Sequence, residues 1–521
     1  GLGMSGDRRA RLWAALAALA ACPPCRADAD SHTGFRYDPE SRVESARLFG
    51  NLNKYAYYFT DLMIGSPPQR VSVIIDTGSR LVGFPCKKCT HCGDHLDPPF
   101  DDEGSRSLRW FNCSDQCRET CQDNYCPYKE TYAEGSSISG FWFDDMVEIG
   151  DKFSQNPPVR ARLGCHTSEN NLFYTQRANG IMGLAPTTGS ASQPTILQQL
   201  FSDRKHVNTE IFSICLAVWG GRMTVGGYNE SYHDPPGEDT VVWVTMSASH
   251  YYFLTPVGMS LGHGDEAAII GSAADFGVSI VDSGTTYTYL PKDLFGKLMD
   301  SLESYCADHD DCAADKDNDE CWRLRDADRG PEKFPPLSFD FGAGRPVVWK
   351  PATYLHQRGE EGYVCRTFME NSDVFQTVFG ISFMLHKDFI FDVGGNKLGI
   401  AEANCPEYHE QPKLDIEEKF ALGGAWPVAE PRLGSPMGGA AGLPLPRSPP
   451  AAALREAVSG RPVLAVPALL ACTLAAAAIG AFRSASFRAL SRPQATPAEI
   501  SGFVDVASEL EEPGRARPLV G

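Results

Sequence analysis

The chain has little positive charge for its size. Its 521 residues carry 47 Lys and Arg against 66 Asp and Glu, which gives a formal net charge of −19. Because the phosphates of nucleic acids are bound by basic surfaces, this balance argues against nucleic acid as a partner. Helical periodicity is also scarce, since few windows repeat apolar residues every three or four positions, and this argues against an all-α fold.

Short β-rich runs make up most of the central part of the chain. Runs such as RVSVIID (70–76), TVVWVTM (240–246) and VSIVDSG (278–284) are separated by glycine, proline and asparagine, a pattern typical of strands joined by turns. The clearest helix is LPKDLFGKLMDSLESYC (290–306). The sequence therefore predicts an all-β fold with occasional helices, and a folded unit over residues 55–410.

Apolar runs near both ends of the chain predict targeting segments. In residues 1–27, basic residues after Met4 precede LWAALAALAAC, which predicts a secretory signal peptide rather than a core helix, with the residues before Met4 untranslated. Residues 462–482 carry no charge and are long enough to cross a bilayer as a helix. Arg483 follows, and basic residues on that side predict a cytosolic tail over 483–521. The chain is thus predicted to be a single-pass type I membrane protein.

The run over 462–482 has an alternative interpretation, a GPI-attachment tail that is removed. Such signals end in their apolar stretch, whereas a polar segment follows this run, which argues against the alternative. Residues 411–461 are rich in Pro, Gly and Ala and predict a flexible stalk. Residues 28–54 are polar and predict a short propeptide or an N-terminal extension.

Cysteine is abundant in the part of the chain that is predicted to be lumenal. Three of the 17 cysteines, Cys22, Cys25 and Cys472, fall in or beside the two apolar runs, which leaves 14 in an oxidising compartment. An even number there favours disulfides. The stretch FPCKKCTHCGDH places three cysteines near His91 and His95 at a spacing like that of zinc ligands, so a metal site is the alternative.

An internal repeat is the most informative feature of the sequence. RVSVIIDTGS (70–79) is echoed by GVSIVDSGTTYTYLP (277–291), and each apolar run ends in Asp, then Thr or Ser, then Gly. Each is later followed by two apolar residues and a glycine, in GIMGLA and in VFGIS. One such triplet arises easily by chance, whereas two with matching partners indicate two related halves. The repeat therefore predicts a bilobal fold in which Asp76 and Asp282 meet.

These repeats resemble the pepsin-type aspartic proteases over residues 55–410. The resemblance implies that Asp76 and Asp282 are catalytic, share one proton and activate a water molecule between them. The supporting residues that it implies are Thr77, Gly78 and Ser79 in the first motif and Ser283, Gly284 and Thr285 in the second. It also implies that ETYAEGSSISGFWF is the flap hairpin, with Tyr132 and Gly135. The family needs neither a cofactor nor a metal.

A more specific resemblance is to the plasmepsin V group, the membrane-anchored aspartic proteases of apicomplexan parasites and their relatives. It rests on DTGS with FPCKKCTHCGDH, on the flap YAEGSSISGF, on GCH (164–166) and LFYTQ (172–176), and on the C-terminal apolar run. The implied organisation is an N-terminal lobe over 55–235, with a Cys-rich insert over 86–126, and a C-terminal lobe over 236–410.

The same resemblance implies a substrate and a place of action. Members of that group cut secretory proteins after the Leu of an Arg-x-Leu export motif, and the positions that match their arginine-binding pair are Glu134 and Gln176. A carboxylate is a suitable partner for a guanidinium. The alternative is that Glu134 is a solvent-exposed turn residue with no role in binding. The chain is therefore expected to be monomeric, to act on polypeptides, and to lie in the endoplasmic reticulum or Golgi membrane with its lobes in the lumen.

The disulfide candidates are expected to form three groups, with the pairing inside each group left open. The first contains Cys86, Cys89, Cys92, Cys113, Cys117, Cys121, Cys126 and Cys165; the second contains Cys306, Cys312, Cys321 and Cys365; the third is Cys215 with Cys405. Asn229 is a candidate for glycosylation, and Asn112 is a poorer one.

Two positions depart from the family patterns. Many pepsin-type enzymes carry a tryptophan seven residues after the first aspartate, where this chain has Gly83, so the flap is expected to be looser or held differently. The plasmepsin V group has a free cysteine after the flap tyrosine, where this chain has Ala133. Sensitivity to thiol reagents is therefore not expected to transfer.

Two other functions are compatible with the sequence. One is a general surface or vacuolar protease of the nepenthesin type, which also has a cysteine-rich insert. The other is an inactive homologue that binds peptides. The second is disfavoured, because such proteins usually lose an Asp or a flanking Gly and this chain keeps both motifs intact.

Overall fold

Strands dominate the part of the chain that the structure describes. This computed structural model describes residues 35–38, 43–113, 117, 120–150, 158–186, 194–203, 206–308, 312, 314–325, 327–371 and 376–409. The strands are β1 (Phe35–Asp38), β2 (Val43–Asn51), β3 (Tyr57–Ile64), β4 (Gln69–Asp76), β5 (Val82–Pro85), β6 (Arg109–Trp110), β7 (Pro127–Thr131), β8 (Ser137–Ile149), β9 (Val159–Glu169), β10 (Gly180–Gly183), β11 (Ile211–Leu216), β12 (Gly221–Val225), β13 (Val242–Thr245), β14 (Ser247–Ala248), β15 (Tyr252–Leu254), β16 (Gly258–Leu261), β17 (Ala268–Ser272), β18 (Ser279–Val281), β19 (Thr288–Pro291), β20 (Ala314–Lys316), β21 (Cys321–Leu324), β22 (Leu337–Asp340), β23 (Val347–Trp349), β24 (Leu355–Gln357), β25 (Tyr363–Arg366), β26 (Phe368–Asn371), β27 (Thr377–Phe379), β28 (Lys387–Asp392) and β29 (Lys397–Glu402). The prediction of a mostly β fold is confirmed.

Helices in the described ranges are few and mostly short. They are α1 (Asn171–Thr175), α2 (Ile196–Ser202), α3 (Ala273–Phe276), α4 (Lys292–Asp308), α5 (Pro351–Tyr354) and α6 (Ile381–Met384), and 3-10 turns cover Glu230–Tyr232, Glu238–Thr240, Gly264–Glu266 and Ala327–Lys333. The longest, α4, is the helix that the sequence predicted. It begins directly after Pro291, and Asp293 lies in its first turn, where a negative charge stabilises the helix N-terminus.

One large sheet carries the first aspartate. Its strand order is β13-β29-β28-β11-β12-β2-β3-β4-β10-β5-β9-β8-β6. β4 lies inside this sheet. Its Val71, Val73 and Ile75 on one face are fully buried, and Ser72 and Ile74 on the other face are buried as well. Burial on both faces explains why the strand has an almost continuous apolar sequence. Asp76 is its last residue.

A second sheet carries Asp282 in an equivalent place. Its order is β14-β15-β18-β27-β19-β26, and Asp282 follows β18 directly. β10 pairs with β4 in parallel, with Gly183 opposite Asp76, and β27 pairs with β18 in parallel, with Phe379 opposite Val281. The GIMGLA and VFGIS stretches therefore supply the neighbouring strand of each motif, which is the structural origin of the repeat.

The N-terminal boundary of the folded unit differs from the one predicted at residue 55. β2 pairs with β3 on one side and with β12 on the other. Its Ala46, Leu48 and Phe49 are buried, so the strand is part of the core. The folded unit therefore includes residues 43–51, upstream of the predicted start at residue 55, and the assignment of residues 28–54 to a propeptide or extension stays a prediction. Glu44 and Arg47 made the segment look polar, although both side chains are buried in the sheet.

Disulfides join the described cysteines within the three expected groups. The pairs are Cys86–Cys165, Cys89–Cys92, Cys113–Cys121, Cys117–Cys126, Cys215–Cys405, Cys306–Cys312 and Cys321–Cys365. The Cys215–Cys405 bond spans 190 residues and fastens the segment after β29 to β11. The Cys86–Cys165 bond ties the residue after β5 to β9.

Several predicted segments lie outside the described residues. These are the signal peptide (1–27), the stalk (411–461), the apolar run (462–482) and the tail (483–521). Within the described ranges, no helix is both long enough and apolar enough to span a membrane. All described residues belong to one compact unit, Gly1–Val428.

Candidate active site

The two aspartate turns face each other, and each glycine lies against the opposite carboxylate. A Cβ atom added at Gly78 would lie 2.7 Å from the carboxyl carbon of Asp282. A Cβ atom added at Gly284 would lie 2.7 Å from the carboxyl carbon of Asp76 and 3.2 Å from Oδ1 of Asp282. Only glycine allows this approach, because any side chain would occupy the space between the carboxylates. The structure thus brings the predicted pair together.

Matching hydrogen bonds orient the two carboxylates. The N–H of Gly78 donates to Asp76 Oδ1 at 2.8 Å, and the N–H of Gly284 donates to Asp282 Oδ1 at 2.9 Å. The Ser79 hydroxyl donates to Asp76 Oδ2. The Thr285 hydroxyl donates to Asp282 Oδ2 at 2.6 Å. Each carboxylate therefore has one oxygen held by a backbone amide and the other by a hydroxyl.

The residues between Asp and Gly join the two motifs. The N–H of Thr77 donates to Ser283 Oγ at 3.1 Å, and the N–H of Ser283 donates to Thr77 Oγ1 at 2.9 Å. Both side chains are fully buried. The predicted supporting residues of both motifs thus all contact the aspartates or the opposite turn.

The proximity of the carboxylates changes their acidity. Burial, and then the charge of Asp282, raises the pKa of the Asp76 carboxyl well above its usual range. The Ser79 hydroxyl and the Gly78 N–H stabilise the charged form and oppose this rise. Two carboxyls this close lose their protons in two separate steps, and between those steps the pair holds one proton. Such a pair contains a base and an acid at the same pH.

The predicted flap is a hairpin of β7 and β8 with a tight turn. The N–H of Tyr132 donates to Ser136 O at 2.9 Å, and the N–H of Gly135 donates to Tyr132 O at 3.0 Å. Gly135 has φ +91°, a conformation that favours glycine. The Tyr132 ring packs on Phe173, with ring centroids 4.8 Å apart. Burial, and then the charge of the Asp76 carboxylate, raises the pKa of the Tyr132 hydroxyl.

Glu134 and Gln176 lie on two adjoining segments next to the flap. Glu134 is exposed in the hairpin turn, and Gln176 is half-buried at the end of α1. The two segments are joined because Asn171 Nδ2 donates to Gly135 O at 3.1 Å and the N–H of Leu172 donates to Ser136 Oγ at 3.2 Å. The Gln176 side chain itself donates to Ala178 O at 3.2 Å.

The Cys-rich insert begins in disulfides rather than in a thiolate cluster. Cys86 is bonded to Cys165 and Cys89 to Cys92, whereas a zinc site of the alternative kind needs free thiolates. No group of three or more His, Cys, Asp or Glu side chains in the described ranges has an arrangement that could bind a metal ion.

One buried residue near the flap, Glu169, was not predicted from the sequence. It is buried and contacts His95 and His166, two histidines of the motifs FPCKKCTHCGDH and GCH. An isolated glutamate in a β-rich run gives no sequence signal of its own. The two motif histidines, which no catalytic role explained, were the only hint that a buried anion lay between them.

The glycosylation candidate Asn229 is exposed and its side-chain oxygen accepts the N–H of Ser231 at 3.0 Å. Its position on the surface is compatible with modification. Asn112 is half-buried next to the disulfide-bonded Cys113.

This arrangement of paired aspartate turns under a hairpin defines the class of protein. The chain matches the family model for eukaryotic aspartyl proteases over residues 57–403, and it belongs to that family. The prediction of an aspartic-type endopeptidase is thereby confirmed at the level of the family.

Individual relatives give a finer comparison. The chain is 32% identical over 419 residues to Aspartic protease 5 of Toxoplasma gondii, an alignment that covers 70% of this chain and 38% of that protein. It is 26% identical over 448 residues to plasmepsin V of Plasmodium falciparum, covering 69% of this chain and 73% of that protein. It is 24% identical over 372 residues to nepenthesin-2 of Nepenthes gracilis, covering 67% of this chain and 78% of that protein. The matched part thus spans well under half of the Toxoplasma relative.

Proposed function

We propose that the chain is an active aspartic endopeptidase in which Asp76 and Asp282 form the catalytic pair. The observation that carries this proposal is the approach of Gly78 and Gly284 to the opposite carboxylates, at 2.7 Å from a built Cβ atom in each case. It brings the two acids face to face, and we propose that the water molecule and the peptide carbonyl bind between them.

The proposed reaction uses the single proton of the pair. The ionised carboxylate takes a proton from the water, whose oxygen forms a bond with the carbonyl carbon of the substrate. The protonated carboxyl hydrogen-bonds the carbonyl oxygen and donates its proton to it, which gives a neutral diol. Collapse of the diol breaks the C–N bond, one carboxyl protonates the leaving nitrogen, and the other accepts the hydroxyl proton as the new acid forms. The pair ends with one proton, as it began.

The proposed substrates are secretory polypeptides with an Arg-x-Leu motif, cut after the Leu. Glu134 lies exposed beside the flap tyrosine and Gln176 lies on the segment hydrogen-bonded to the flap turn. A carboxylate and an amide at this place suit the planar donors of a guanidinium. The similarity to plasmepsin V supports the same choice. The proposed location is the endoplasmic reticulum or Golgi membrane, as a monomeric single-pass type I protein.

The second candidate function is a general secretory-pathway or surface protease without this specificity. The observation in its favour is the similarity to nepenthesin-2. The two candidates differ in whether the enzyme prefers an arginine three residues before the cleaved bond. The chemistry of Asp76 and Asp282 is the same in both.

Two peptides that differ only in Arg or Ala three residues before the cut test the specificity in the purified full-length chain. We expect hydrolysis of the Arg peptide to be preferred by wild type, and the preference to be lost in Glu134→Ala while some activity remains. Asp76→Asn should hydrolyse neither. Equal cleavage of both peptides by wild type would favour the general protease, and full activity of Asp76→Asn would end the proposal.

A further inference from the structure

Two histidines from separate motifs meet on one buried carboxylate. His95 Nε2 lies 3.1 Å from Glu169 Oε2, and His166 Nδ1 lies 2.7 Å from Glu169 Oε1. The three side chains are each 2% exposed or less. A carboxylate this deeply buried needs partners for both oxygens. Burial raises the pKa of Glu169, but the bonds from His166 and His95 outweigh it and lower the pKa below its usual value.

The second nitrogen of His95 contacts the backbone of a proposed substrate-binding residue. Nδ1 of His95 lies 3.0 Å from the carbonyl oxygen of Gln176. Carboxylate and carbonyl oxygens only accept, so both contacts are hydrogen bonds only when His95 carries a proton on each nitrogen. His95 therefore connects the buried carboxylate directly to the chain at Gln176.

His166 occupies the space that a side chain at position 83 would need. A Cβ atom at Gly83 would lie 2.6 Å from His166 Nε2, so this histidine and a tryptophan at 83 exclude each other. The His166 ring lies 6.2 Å from that of Tyr128 on the flap strand β7. His166 Nε2 and the Tyr128 hydroxyl are both buried without a hydrogen-bond partner in the described ranges.

We infer that Glu169, His95 and His166 act together as a positioning unit for the proposed arginine-binding pair. His95 fixes the backbone of Gln176, and His166 supports β7, the strand that leads to the turn with Glu134. The ligand that the unit serves is a guanidinium side chain of the substrate, so the inference rests on the proposed function. None of the three residues touches the reacting atoms, and all three are positioning residues.

The test compares His95→Gln with His206→Gln in the full-length chain. His206 is a matched control, because it is also buried and also pairs through Nδ1 with a glutamate, Glu44, at 2.6 Å. The measured quantity is the ratio of kcat/KM for the Arg peptide to that for the Ala peptide. We expect His95→Gln to lower this ratio about fivefold to tenfold, mainly through a higher KM for the Arg peptide. The ratio should be unchanged in His206→Gln.

A double variant distinguishes positioning from a general loss of structure. In a Gln176→Ala background, His95→Gln should lower the ratio no further, because the residue that it positions has lost its side chain. A second loss of full size would overturn the inference. Hydrogen exchange at the backbone amides of residues 174–178 is a second measurement, and it does not depend on whether the enzyme prefers the Arg peptide. Exchange should be faster in His95→Gln and unchanged in His206→Gln.

The outcomes separate this inference from the proposed function. If wild type shows no arginine preference, the proposed specificity fails, and hydrogen exchange alone then decides whether His95 fixes the chain at Gln176. If wild type prefers arginine but His95→Gln keeps both the ratio and the exchange rates, the inference fails and the proposed function stands.

Discussion

Thr77 and Ser283 hydrogen-bond each other across the two aspartate motifs. Each backbone N–H donates to the side-chain oxygen of the other residue, at 3.1 and 2.9 Å. Each hydroxyl in turn donates to a carbonyl on the far side, Thr77 to Val281 O at 3.1 Å and Ser283 to Ile75 O at 2.9 Å. The separation of the two aspartates is therefore set by two small hydroxyl side chains.

Replacing Thr77 by valine should uncouple the motifs. Valine keeps the branched shape but lacks the hydroxyl, which leaves the buried N–H of Ser283 without its acceptor. We expect the free energy of unfolding to fall by about 1–3 kcal/mol, measured by denaturant titration, and kcat to fall at least about tenfold because the carboxylates lose their alignment. Thr77→Ser keeps the hydroxyl and should remain close to wild type. Equal losses in both variants would show that the methyl group, and not the hydrogen bond, sets the geometry.

Asp76→Asn should abolish peptide hydrolysis and stabilise the folded chain near neutral pH. In the folded state the pKa of Asp76 is raised above its ordinary 3.8, so the folded chain retains a proton that the unfolded chain loses. Wild-type stability should thus fall as pH rises from 3.8 through the folded pKa, by about 1.4 kcal/mol for each unit of difference. The asparagine variant lacks this loss. Thermal unfolding of wild type and Asp76→Asn from acid to neutral pH measures this loss of stability. Parallel curves of stability against pH for the two chains would contradict the prediction.

Gly83→Ala should destabilise the fold because its Cβ atom meets the His166 imidazole at 2.6 Å. We expect a loss of about 1–3 kcal/mol in the free energy of unfolding, as for other overpacked sites. The cost should be smaller when His166→Ala is already present, since the obstructing ring is then absent. A cost that is the same in both backgrounds would show that the strain lies in the backbone of β5.

Opening the Cys215–Cys405 bond should cost more than opening Cys306–Cys312. The first closes 190 residues and the second closes 6. The loop-closure contribution from the unfolded chain is about 5 kcal/mol for the longer loop and about 2 kcal/mol for the shorter one. Paired cysteine-to-alanine variants, compared by denaturant unfolding, measure the difference. A larger cost for the short loop would show that native contacts at α4, and not chain entropy, dominate.

The catalytic pair could be predicted from the sequence because the same motif, an apolar run followed by Asp, Thr or Ser, and Gly, occurs twice in the chain. Asp76 and Asp282 each end or follow an apolar strand run, and each has its glycine two residues later. Backbone geometry and function impose the same local pattern in both halves. The two halves of one sequence can therefore be compared with each other. That Tyr132 belongs to a hairpin was likewise predicted from its position between the first motif and GIMGLA.

Other features depend on distances that the sequence does not contain. The partners of individual cysteines depend on Cα separations of a few ångströms, such as 5.4 Å for Cys86–Cys165. The role of Glu169 depends on two histidines that arrive from distant segments. The place of β2 in the core depends on the burial of its polar Glu44 against His206, a contact that no local pattern reveals.

The interior position of β2 also limits how this protein could be matured. Cutting the chain between residues 51 and 57 and releasing what precedes the cut would withdraw a strand from the middle of a sheet. The edges of β3 and β12 would then be left open to pairing with other chains. We therefore expect any activating cleavage that keeps this sheet intact to fall upstream of Val43.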